Sequence, residues 1–116
     1  MDLQQFIEQL ESNSGFDFED TIAVIGANYD YTPTRFSNGD LVNEAGTNEG
    51  SCKIFAFAQI NNLSEQHTLN CFGRFYRNDV LKNPEGTDHG NIRNFIVHGW
   101  PGISFEKSAL TAKSLT

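Results

Sequence analysis

Residues 50–59, GSCKIFAFAQ, set the plan for the whole chain. Ile54, Phe55, Ala56, Phe57 and Ala58 are all apolar, so at helical spacing the segment leaves almost no face for water. A helix of that kind belongs at the centre of a fold. In a chain of 116 residues it can be covered only if the other elements wrap around it in one shared core. The material for that core is present: ten Phe, and 38% hydrophobic against 20% charged residues, a balance unlike that of a disordered segment.

The flanking segments carry the amphipathic patterns that such wrapping needs. Leu3, Phe6, Ile7 and Leu10 share one helix face behind a cap at Asp2, and Asn13-Ser14-Gly15 ends that helix. Asp17, three residues before Asp20, caps a second helix in which Phe18, Ile22, Ile25 and Tyr29 keep helical spacing up to Thr32-Pro33. The period then shortens. Two short runs around Asn38-Gly39 predict a hairpin with Phe36 opposite Leu41. The central helix opens at Ser51-Cys52. A fourth starts at the Ser64 cap and runs through Leu69, Phe72, Phe75 and Tyr76 to Val80-Leu81. After a β-turn at Asn83-Pro84-Glu85-Gly86, a fifth begins at Thr87 or Asp88, buries Ile92, Phe95 and Ile96, and stops at Gly99. Ile103-Ser104-Phe105 reads as a strand that joins the hairpin. The expected fold is α+β, mostly helical with about five helices, with a small antiparallel sheet formed by the hairpin and a C-terminal strand. Residues 1–108 form one domain, and residues 109–116 are a frayed polar tail.

The formal net charge of −7 argues against a grip on nucleic acid or on an anionic membrane surface, which needs clustered Lys and Arg. No apolar run approaches the roughly 20 residues that span a bilayer, and the start lacks the pattern of a secretory signal. Two cysteines could make at most one bridge, and reduced thiols are expected. The charge is uneven: residues 1–50 hold ten acids and one base, whereas residues 51–116 hold five acids and seven bases. Arg74, Arg77 and Arg93 are expected to pair with carboxylates of the first half such as Asp30 and Asp40.

Two constellations could carry function. Cys52, in the first turn of the central helix, would have its thiolate favoured by unpaired backbone N–H groups, and His98 or His89 could serve as base, with Asn94, Asp88 or Asp40 orienting the imidazole. The second lies on helix five, where Asn91, Asn94 and His98 form a polar stripe beside Arg93 and ahead of Trp100. Either these side chains satisfy the backbone of the irregular segment 38–50, or they line a cleft there. In the cleft reading Arg93 grips a carboxylate or phosphate, Asn94 and Asp40 take part, and Trp100 forms a wall. His67 and Cys71 lie at i, i+4 without further ligands at metal spacing, and no nucleotide-binding glycine pattern occurs, so neither metal nor cofactor is expected.

The ordered phrases DTIAVIGANYDYTPTRFSNGD, GSCKIFAFAQ, LNCFGRFYRNDVL, GTDHGNIRNF and HGWPGISF resemble the HopJ type III effector family, also called HopPmaJ-like, over residues 3–105. The resemblance implies a protein of the bacterial cytoplasm, with secretion through a type III system following from the family alone, and it carries over no catalytic residues. The expected function is an interaction module whose partner is a protein or a small anionic ligand. The alternative is a small hydrolase or transferase using Cys52 with a histidine base.

Overall fold

The computed structural model describes residues 3–12 and 17–113, the side chains of residues 11 and 12 excepted. The cap at Asp2, the stop at Asn13-Ser14-Gly15 and the last three residues of the tail lie outside the described residues. The helices are α1 (Leu3–Ser12), α2 (Phe18–Asn28), α3 (Glu49–Ile60), α4 (Glu65–Asn70) and α5 (Gly90–His98). A π-helix (Phe75–Val80) follows α4 and a single 3₁₀ turn (Trp100–Gly102) follows α5. The strands are β1 (Tyr29–Tyr31), β2 (Phe36–Asn38), β3 (Leu41–Asn43), β4 (Ile103–Phe105) and β5 (Leu110–Ala112). They form two antiparallel sheets, β3-β2-β4 and β1-β5. The mostly helical α+β architecture and the junction of hairpin and β4 are as the sequence predicts.

The central helix is α3, and the rest is wrapped around it. Ile54, Phe55, Phe57 and Ala58 are completely enclosed. Phe57 meets Phe6 of α1 and Tyr29 edge-on at 6.1 and 6.0 Å, while Phe55 reaches the other way, to Phe36, Phe72 and Phe95 at 6.1, 5.6 and 5.0 Å. Ile96 is the exception in the expected core, being 47% exposed. Helix α5 turns Asn91, Ile92 and Phe95 inward, and the residue after Phe95 lies about 100° further round the axis, on the wet side.

Four local features depart from the expected arrangement. Tyr29 is extended rather than helical, because residues 29–31 pair with residues 110–112; the end expected to fray is a strand, and Ala109 and Leu110 are buried. The hairpin turns at Gly39-Asp40, one residue later than expected, which sets Phe36 opposite Asn43. Gly39 has φ +63°, the geometry for which glycine is favoured at the first position of a two-residue loop. Helix α4 ends at Asn70 and gives way to turns, with Gly73 at φ +59°, before the chain coils again as the π-helix. Helix α5 starts two residues after Asp88, at Gly90.

The break at Gly73 has a purpose in the packing. A side chain there would collide with Asp17, which caps α2 in the expected capping box with Asp20. The Asp17 carboxylate also accepts the Arg74 backbone N–H at 2.7 Å and faces the Arg74 guanidinium at 3.1 Å. One side chain therefore ties the start of α2 to the start of the π-helix, bringing Phe18 and Phe75 to 5.0 Å. Arg74 also forks onto Glu19, so the expected pairing between the two halves of the chain is made by this arginine.

Candidate functional site

Three of the residues singled out on α5 and the hairpin are engaged inside the molecule. Arg93 donates to the Asp88 and Asn83 carbonyls at 2.6 and 2.8 Å and to the Asp88 carboxylate at 2.7 Å. It fastens the loop before α5 and pairs within its own half of the chain, where the sequence suggested Asp40. Asn94 donates to the Asn38 carbonyl at 2.9 Å and to Asp40 at 3.3 Å. Asn94 thus satisfies a hairpin carbonyl, as the first of the stripe's two readings has it for segment 38–50. Trp100 packs edge-on against Phe95, donates to the Leu63 carbonyl at 3.2 Å, and lines a separate concavity of about 320 Å³ beside Gln59. His98 is exposed, with its ring over Gly39.

Cys52 is not set up as a nucleophile. Helix α3 begins at Glu49, so the Cys52 N–H is already bonded to the Asn48 carbonyl at 3.0 Å, and the free N–H groups belong to the residues before it. The thiol is 1% exposed, and burial pushes its pKa up despite hydrogen bonds from the Tyr31 hydroxyl and the Thr34 backbone. These neighbours include no imidazole. Cys71 is enclosed and pushed up by burial as well. Neither thiol should therefore be alkylated in the native protein near neutral pH, and replacing His89 or His98 should change nothing; fast, histidine-dependent labelling of Cys52 would reverse this. Folded pKa values above unfolded ones also mean that the unfolded chain releases protons the native chain keeps. Stability should therefore fall as pH rises past about 8.5, by up to about 1.4 kcal/mol per pH unit for each thiol, as denaturant titrations would show.

Among the described residues, two uncapped helix starts meet at the other end of α5. Helices α3 and α5 both start from a residue in the left-handed conformation, Asn48 and His89, with φ +50° in each case. Neither start has a side-chain cap. Their first intrahelical bonds are donated by Cys52 and Arg93, leaving the amides ahead of these without a helical acceptor. Both starts open into one cavity of about 330 Å³. Its apolar wall is Phe18, Phe72, Phe75 and Ile92, and its polar lining includes Asn48, Ser51 and His89. Gly50 belongs to the wall too, since a side chain there would press on the Phe18 ring.

A buried amide network fixes the two helix starts relative to each other. Asn91 and Asn43 exchange hydrogen bonds in both directions at 3.0 and 3.1 Å. Asn38 donates to the Asn91 carbonyl and side chain at 2.8 and 3.1 Å, and Asn48 donates to Asn43 at 2.6 Å. His89 is held by its Nε2, 3.0 Å from Asp79, and its ring stacks on Phe75 at 5.1 Å. The carboxylates around the cavity have partners of their own. The Arg74 backbone N–H, guanidinium and neighbouring amides hold Asp17 below the usual carboxylate range, and Arg93 does the same for Asp88.

The description HopJ type III effector protein belongs to a family profile that matches residues 3–110, nearly the whole chain. The chain belongs to this family. The HopJ chain is also similar to the crystal structure of a protein of unknown function, VPA0580, with a TM-score of 0.94 and 60% identity, over 97% of this chain and 95% of that one. No curated protein matches it. Among the described residues of this HopJ protein no helix is long and apolar enough to cross a membrane. Of the candidate site residues singled out from sequence, His89 and Asn91 line the cavity. The missed signal was Asn48, a polar residue two positions before a glycine at a helix start.

Proposed function

We propose that this HopJ protein is a binding module that takes a small organic molecule into the cavity between the starts of α3 and α5. The observation that carries the reading is the meeting, in one cavity of about 330 Å³, of an aromatic wall with two helix starts whose first amides have neither a helical acceptor nor a side-chain cap. Of the two partner classes open from sequence, a protein or a small anionic ligand, the cavity favours the second, because positive helix ends surround it. Membership of the type III effector family supports a bacterial cytoplasmic origin and delivery through a type III system.

A fragment library followed by amide NMR tests the site. Binders should move the backbone amides of Gly50, Ser51, Gly90 and Asn91 first. Shifts concentrated instead on Gln59, Leu63 and Trp100 would place binding in the separate concavity at the far end of α5 and refute the assignment.

A further inference from the structure

We infer that the molecule taken up is a planar aromatic acid, and that His89 meets its acidic group as an imidazolium, with a proton drawn from solvent on binding. The inference rests on the reading of the cavity as a binding site and adds the chemistry of the ligand.

The shape argues for a flat ring system. Phe18 and Phe75 stand 5.0 Å apart, and the His89 ring lies on Phe75 at 5.1 Å and only 27° from parallel. An aromatic wall also suits organic cations, but two features here oppose one. Arg74 already occupies a face of Phe75, its guanidinium carbon 4.6 Å from the ring centre, and both helix starts turn their positive ends to the cavity.

The acid argument turns on His89. No Lys or Arg is among the residues lining the cavity, so the histidine supplies the charge that an anion would meet. Its Nε2 faces Asp79 at 3.0 Å and Asp88 at 3.9 Å, and its Nδ1 has no partner among the described residues. The other charges nearby are matched elsewhere: Asp88 by Arg93, and Arg74 by Asp17 and Glu19. A neutral imidazole that donates through Nε2 offers only a lone pair at Nδ1, which repels a carboxylate. With a proton on each nitrogen it donates to Asp79 and to the ligand at once.

Titration calorimetry of the full chain with naphthoate, naphthamide and naphthylmethylammonium tests this, at about pH 6 and about pH 8, where the acid stays ionised. Running it in two buffers of different ionisation heat reads proton uptake directly on the unaltered protein. Naphthoate should bind about tenfold or more tightly than the amide, more tightly at the lower pH, and with net proton uptake. His89→Gln should remove both the pH dependence and the preference for the acid over the amide, while Phe75→Leu should weaken all three. Equal binding of acid and amide without proton uptake would overturn the inference and leave the cavity as a site. Preference for the ammonium compound would also overturn it. No binding of any of the three, with the cavity amides unmoved, would refute both.

Discussion

Replacing Phe55 by alanine should remove about 3–5 kcal/mol from the unfolding free energy, the range for an enclosed phenylalanine whose space cannot close up. The side chain is 0% exposed and contacts rings from three surrounding stretches of chain, Phe36, Phe72 and Phe95. Each neighbour is anchored by its own stretch, so the void persists. Ile96→Ala on the same core-facing prediction serves as the contrast: at 47% exposure it should cost within about 0.5 kcal/mol. Denaturant unfolding of the two variants reads the difference. A Phe55→Ala loss below about 1 kcal/mol would mean that α3 is not the rigid centre that its burial indicates.

Asn91→Ala should be the most damaging polar change. It strands the Asn43 Nδ2 in a site where Asn43 is 1% exposed, and an unpaired buried donor costs about 1–3 kcal/mol, before lost packing is counted. Asn91→Asp separates the hydrogen-bond pattern from shape. Its carboxylate could still accept from Asn43 and Asn38 but could no longer donate to the Asn43 Oδ1. Its pKa should be raised by burial, so its deficit should be large at neutral pH and shrink in acid, where the neutral group donates again. Equal stability of Asn91→Asp and the parent at neutral pH would show that the network is wetter than its burial implies.

Much of this was legible because its cause was local. Apolar residues all round a short segment left α3 no place but the centre. The Asp17 and Ser64 caps and the stop at Gly99 act within a single turn of chain, and each is where the sequence puts it. The clasp of Asn91 and Asn94 on the hairpin was legible as one of two readings of the polar stripe, since amides on the face of a helix beside an irregular segment find partners there. What was missed depends on distant chain. Gly73 reads as one more residue of a helix until Asp17 is seen against it. Ile96 matches the helical period, yet the network around Asn91 sets the rotation of α5. The cavity needs four separate stretches of chain to meet, and the uncapped amides of its two helix starts belong to the backbone, which a list of side chains does not display.

The β1-β5 ribbon bears on the order in which the molecule assembles and comes apart. Tyr31 faces Leu110, with most of the chain between them, and the ladder is extended by Thr32 donating to Ala109 and Lys113 donating to Asn28. Closing so long a loop costs the chain more freedom than any neighbouring contact does, and a ribbon of three residue pairs returns little for it until the helices are docked. In a folding trajectory this pairing comes late. In the native state it is among the first to open, and because β1 leads directly out of α2, each opening loosens the far end of the helix whose first residue, Phe18, walls the cavity.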